Sequence, residues 1–252
     1  MIVREDRDGI RVVRLAHGKV SAMDIELGEA LIAELKAAAD PAVRAVVITG
    51  TGASFSAGVD LFRIIKDGAA YGRRFLPVLD TMLRDALTFP KPLIAAVNGH
   101  AIAGGCILAA TCDRRIMASG NGRIGVPELV VGVPFPALPL QIMAARTADA
   151  AFRDLVLSGR TVQVDEAIAL GLIDEKCEAD SLLERALAVA VQYASIPAGA
   201  FALTKEAFTT PVLERTAALA SLNTRVVEAW MQPQTYDTIR AYLERTVRKA
   251  GS

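Results

Sequence analysis

Histidine is almost missing. His17 and His100 are the only two in 252 residues, and cysteine is limited to Cys106, Cys112 and Cys177. None of these five residues falls at metal-ligand spacing, so no metal site is expected. Three cysteines also make no disulfide framework, which fits a reduced, cytoplasmic compartment. Aromatic residues are only 5% of the chain, so the core must be built mainly from Ala, Val, Leu and Ile. Neither charge sign is in excess: 28 basic side chains face 28 acidic ones. Bulk attraction to nucleic acid or to a membrane surface is therefore not expected, although a local basic spot for a phosphate stays open. No apolar run reaches the roughly 18 residues of a membrane span. The start, Met1 to Asp6, lacks the basic-then-apolar pattern of a signal peptide.

What is present is apolar and patterned. Hydrophobic residues make up 52% of the chain, enough for a substantial core. Ile2 to Glu5 and Ile10 to Leu15 read as a hairpin around Asp6-Arg7-Asp8-Gly9. Asp24 caps a helix carrying Leu27, Leu31, Ile32 and Leu35 at helical spacing. Val43 to Thr49 is a β-branched run suited to a strand buried on both faces, and Leu93 to Val97 is a second. Helical spacing over Tyr71 to Phe89 separates them, Cys106 to Cys112 reads as a buried helix, and Arg114 to Ala118 as a third strand. This order predicts α/β architecture with crossovers. Helices follow at 147–157, 164–170 and 180–195, with a short strand at Leu172 to Glu175. Beyond Pro197 only helices are expected, at 198–209, 212–231 and 234–249. The boundary falls near 195: an α/β core (1–195), then a helical region (196–252) that packs on the core or on another subunit.

Three short stretches carry the chemistry. Ser56-Ala57-Gly58-Val59-Asp60-Leu61 follows a strand, and its small residues leave the Val59 N–H free to point outward. Alone, that also fits an ordinary strand-to-helix turn, with Asp60 capping the next helix. Asn98 to Gly105 ends in Ala103-Gly104-Gly105 before a helix, where unpaired N–H groups and the helix dipole favour an oxyanion. Alone, the glycine pair also fits close helix packing. Two such turns together supply the paired donors of an oxyanion hole. Glu128 lies in Ile124-Gly125-Val126-Pro127-Glu128-Leu129-Val130-Val131. If buried there, its carboxyl should titrate high enough to move protons near neutrality; the alternative is a solvated glutamate at a helix start. His100 reads as a turn histidine, and Cys106 as an inert core thiol.

Four stretches together resemble the crotonase superfamily, the enoyl-CoA hydratase/isomerase family: VVITGTGASFSAGVDL (46–61), KPLIAAVNGHAIAGGCILAATCDRRIMAS (91–119), GRIGVPELVVGVP (122–134) and SGRTVQVDEAIALGLIDE (158–175). The likeness implies a spiral of ββα units with C-terminal helices that build trimers, often stacked as hexamers. It implies a coenzyme A thioester as substrate, with no other cofactor, its carbonyl oxygen held between the backbone N–H groups of Val59 and Gly104. The backbone of Ser56, Ala57, Gly58, Val59, Asp60 and Leu61 would receive the adenine end of CoA, and Lys19 is a further candidate for its phosphates. Phe62, Phe75, Phe135 and Leu138 are expected around the acyl group.

The departures from the family pattern narrow the activity. Hydratases of this family use two glutamates; the first lies two residues after the second glycine of the GG pair, where this chain has Ile107. Glu128 matches the second. The hydratase loop P-G-x-G-G is replaced by Pro134-Phe135-Pro136-Ala137-Leu138-Pro139. Ser21 stands where Asn is common, and Val59 where Ala is common. One carboxylate and an apolar residue after AGGC resemble the Δ3,Δ2-enoyl-CoA isomerases, as does the ending around Trp230 and Tyr242. The expected reaction is a 1,3 proton shift in a 3-enoyl-CoA with Glu128 as the only base. The alternatives are a hydratase, another crotonase-type lyase or hydrolase, and a non-catalytic acyl-CoA-binding oligomer.

Overall fold

The computed structural model describes the backbone of residues 1–250 and side-chain surroundings through residue 246. β1 (Ile2–Arg7) and β2 (Ile10–Leu15) pair antiparallel across Asp8-Gly9, whose φ angles of 50° and 80° are those a two-residue hairpin turn requires. α1 (Ile25–Ala37) starts where the Asp24 carboxylate accepts the Leu27 N–H at 2.8 Å.

Three ββα units follow. They are β3 (Ala45–Thr49), β4 (Ser54–Ser56) and α2 (Leu61–Leu87); β5 (Leu93–Val97), β6 (His100–Ile102) and α3 (Gly104–Thr111); then β7 (Arg114–Ala118), β8 (Ile124–Gly125) and α4 (Glu128–Val131). The chain continues through α5 (Ala137–Arg146), α6 (Asp149–Ser158), β9 (Thr161–Val162), α7 (Val164–Ala169), β10 (Glu175–Cys177) and α8 (Leu182–Ala194). The first strand of each unit joins a six-stranded sheet of order β1-β2-β3-β5-β7-β10, parallel from β2 onward. The second strand joins a smaller sheet, β4-β6-β8-β9, in which β4, β6 and β8 are parallel neighbours. Each turn through the spiral therefore repeats one geometry. The turns leaving β4, β6 and β8 emerge side by side, and each opens a helix.

Both faces of the large sheet are covered. Val46, Ile48, Leu93 and Ala95 face the main core with α1, α2 and α3, while Val47, Ile94 and Ala96 pack with Ala186, Val189 and Ala190 of α8. Strands buried on both faces read as continuous apolar runs, which is why β3 and β5 stand out in the sequence. α9 (Ala198–Ala218), α10 (Ala220–Trp230) and α11 (Pro233–Ala250) complete the fold. α9 is docked by Lys205, whose ammonium donates to Asp113 Oδ2 at 2.8 Å. No single helix among the described residues is long and apolar enough to cross a membrane.

Several boundaries differ from expectation. α2 begins at Leu61 rather than near Tyr71: Leu61, Ile64 and Ile65 give its first turns an apolar face on the core, and Gly68 (φ 67°, ψ −158°) breaks the helix between them and Tyr71. α9 runs through Pro211 instead of ending before it; that proline lies on the exposed face, where the lost N–H bond is cheapest. The last strand is Glu175–Cys177, later than Leu172–Glu175, since the Leu172 and Ile173 N–H groups are spent on the Ala167 carbonyl.

Candidate active site

The turn after β4 is built by hydrogen bonds to the segment before α1. The Ala57 N–H donates to Val20 O, the Met23 N–H to Gly58 O, and the Asp60 N–H to Met23 O. Ser56 is fully buried; its Oγ donates to Ser21 O at 2.7 Å and accepts the Gly58 N–H. Gly58 has φ +79°, and a Cβ there would sit 2.5 Å from Ile102 O and 2.8 Å from Ala103 Cβ. Only glycine lets the first turn close against the second. Asp60 caps α2 by accepting the Arg63 N–H at 3.0 Å, as its position predicts.

The turn after β6 carries backbone strain. Ala103, a residue with a Cβ, sits at φ 51°, ψ −121°, held by its N–H donating to Gly125 O at 2.8 Å. Such a conformation costs on the order of 1–3 kcal/mol and persists only where the surroundings enforce it. It places Gly104 at the first position of α3, where the N–H has no partner within the helix.

The turn after β8 delivers Glu128. Its own carbonyl accepts the N–H groups of Gly132 and Val133, closing the single turn of α4. Gly132 is left-handed (φ +95°), and a Cβ there would meet Thr238 of α11 at 2.2 Å. Glu128 is 7% exposed, and its Oε2 is buried with no hydrogen-bond partner among the described residues. Burial pushes its carboxyl from 4.5 up to about 8, opposed only weakly by a backbone hydrogen bond. No cation among the described residues neutralises it.

The three turns open on one cavity of about 300 Å³. Val59, Gly104 and Glu128 all line it, with Ala57, Asp60, Leu61 and Ile107. Its walls are almost wholly apolar; among the described residues, polar side-chain groups besides Glu128 come from Asp60, Trp230, Tyr242 and Thr246. The Trp230 indole N–H is already taken by Pro134 O at 2.8 Å. A buried, unpaired carboxyl in such a cavity can take up and return a proton near neutral pH.

A sequence profile of the enoyl-CoA hydratase/isomerase family matches residues 5–249. The chain belongs to that family. Among relatives of this acyl-CoA enzyme, the Escherichia coli K12 2,3-dehydroadipyl-CoA hydratase is 38% identical over 166 residues, which are 65% of this chain and 64% of the relative. A Mycobacterium tuberculosis structure described as an enoyl-CoA isomerase is 28% identical, covers 91% of this chain and 96% of its own, and superposes with a TM-score of 0.81. The human mitochondrial Δ3-Δ2-enoyl-CoA isomerase matches in fold, with a TM-score of 0.93 over 98% of both chains at 23% identity. The family thus brings names of both activities to this chain.

Within the family site, the residues singled out from sequence divide in two. Ala57, Val59, Asp60, Leu61, Phe62, Gly104, Glu128 and Phe135 line the cavity; Phe62 does so from its mouth, 59% exposed. Ser56 and Gly58 shape the turn from behind, and Lys19 is exposed on the adjoining turn beside the cavity-lining Val20. Two acyl-pocket guesses are corrected. Phe75 is in the core, stacked on Tyr71 with centroids 5.9 Å apart, and Leu138 is buried in the core as well; neither lines the cavity. His100 uses Nδ1 to accept the Arg123 N–H, away from the cavity, and burial pushes the Cys106 thiol far up. Sequence reasoning missed Leu79, Pro136, Pro139, Tyr242, Leu243 and Thr246. The family likeness of the ending around Trp230 and Tyr242 pointed to this helix, but nothing in its sequence says which surface Tyr242, Leu243 and Thr246 cover.

Proposed function

We propose that this protein is a Δ3,Δ2-enoyl-CoA isomerase with one base. The observation that carries the reading is Glu128, buried and unpaired, in the same apolar cavity as Val59 and Gly104. The thioester oxygen sits between the Val59 and Gly104 N–H groups. Glu128 removes a proton from C2, charge grows on that oxygen, and the protonated Glu128 delivers the proton to C4. Each backbone donor contributes about 3–4 kcal/mol to lowering the barrier. Because the same carboxyl gives back what it takes, no second acid is needed.

Hydration is the second reading, supported by the hydratase name of the E. coli relative. Activating water calls for a second carboxylate, and the wall position that would supply it is Ile107, 3% exposed and apolar. Lys19, exposed beside Val20, is placed to meet the CoA phosphates. Leu203 and Phe208 of α9, 70% and 73% exposed, support the trimer or hexamer that the family likeness implies. The three free cysteines favour a cytoplasmic setting.

The test is a comparison of substrates. Incubated with 3-hexenoyl-CoA, the enzyme should form 2-hexenoyl-CoA, and Glu128→Gln should reduce that turnover about 10²–10⁴-fold. Faster conversion of 2-hexenoyl-CoA to the 3-hydroxy product than of the 3-enoyl isomer would replace isomerase with hydratase.

A further inference from the structure

A second cavity of about 730 Å³ lies between α2, α5, α9 and α10. It shares three residues with the first: Leu79, Pro136 and Pro139 line both. The partition is therefore one side chain thick at these points. Its chemistry suits an apolar passage. Prolines have no N–H, so Pro136 and Pro139 bring rings to the wall without donors that would need satisfying. Of the two amides between them, the Ala137 N–H is taken by Asn223 Oδ1 at 2.8 Å. Leu76, Ala137, Leu213 and Val227 continue the apolar lining, and Arg73, Asp80 and Arg84 form a polar rim. The first cavity alone is at the small end of the roughly 300–1,000 Å³ found for ligand pockets, and the two together reach the large end.

We propose that the acyl tail of a long substrate runs past Leu79, Pro136 and Pro139 into this second cavity, which makes the chain selective for long-chain over short-chain acyl-CoA. This rests on the reading of the first cavity as the acyl-CoA site. Each methylene taken out of water contributes about fourfold in kcat/KM, so four more amount to about 10²-fold.

The experiment measures kcat/KM for 3-octenoyl-CoA and 3-dodecenoyl-CoA, and the dissociation constants of octanoyl-CoA and dodecanoyl-CoA. The proposal expects the longer chain to win in both, by about 10-fold to 10²-fold. Ala217→Phe, on the exposed side of the second cavity and outside the first, should collapse the long-to-short ratio toward one; Ala220→Phe does the same from α10 if the first variant folds poorly. Equal constants for the two lengths in the parent, or a ratio that survives both phenylalanines, would overturn the proposal. If no enoyl-CoA is turned over but dodecanoyl-CoA still binds tighter and loses that advantage in the variants, the tail site stands and the isomerase reading falls.

Discussion

Asp174 and Glu128 are carboxylates taken out of water by the same fold, with opposite results. Asp174 precedes β10 and meets Arg115 of β7, whose Nε and Nη2 reach its two oxygens at 2.9 and 2.7 Å, while the Arg115 N–H adds a third bond at 2.8 Å. Burial pushes its pKa up, but the bonds from Arg115 outweigh that and hold it below 3.8. Glu128 follows β8, has no cation beside it among the described residues, and is driven up to about 8. The partner, not burial alone, sets the direction. One arrangement holds the large sheet to β10; the other stores a proton acceptor that is costly to ionise.

The largest expected effect comes from breaking the paired carboxylate. Arg115→Met leaves the half-buried Asp174 without its cation and the two side-chain hydrogen bonds in a shielded setting, and should destabilise the protein by about 1–3 kcal/mol, read from urea denaturation. That stabilisation exists above the ordinary Asp value and is lost as pH falls through the lowered folded value.

Glu128 has the reverse linkage. Between pH 4.5 and about 8 the folded state holds a proton that the unfolded state has lost. Stability should therefore fall as pH rises through that window, by up to about 1.4 kcal/mol per pH unit. Denaturation curves for Glu128→Gln should lack that part of the slope, making the variant as stable as the parent near pH 5 and more stable near pH 8. A variant less stable at both pH values would mean that Glu128 is held by interactions the structure does not contain.

Giving Glu128 a cation should convert one case toward the other. Ile107→Lys places an ammonium on the same cavity wall, and an opposite charge at that range lowers a carboxyl by about 1–3 pH units. The rising limb of the pH–rate profile, centred near 8 in the parent, should move down accordingly, with slower turnover because the base is weaker. The smallest effect is expected at an exposed pair. Arg160 meets Asp154 at 2.7 Å and also Glu166, with all three side chains at least a third exposed, so Arg160→Ala should cost about 1 kcal/mol or less.

The large sheet was legible because doubly buried strands leave unbroken runs such as Val46 to Thr49 and Leu93 to Val97. The small sheet was not. β6 and β8 are three and two residues long, too short to show an alternation, yet they align the turns that carry Val59, Gly104 and Glu128. Those residues were legible only as motifs, through glycine spacing and the isolation of one carboxylate among apolar neighbours. The cavity's far wall was illegible because it is tertiary: Leu79 lies mid-helix in α2, and Tyr242, Leu243 and Thr246 reach the cavity from a helix more than one hundred residues from Glu128. Phe75 and Leu138 were misjudged for the same reason, since residue type places a side chain inside but does not say in which core.

The central claim is that Glu128 alone exchanges the C2 proton. Hexanoyl-CoA, which has a C2 proton but no double bond to move, isolates that step in deuterated buffer. With the parent, deuterium should enter C2 at a rate that rises with pH toward about 8; with Glu128→Gln it should not enter, while the variant still binds hexanoyl-CoA. Exchange at the parent's rate in Glu128→Gln would contradict the account.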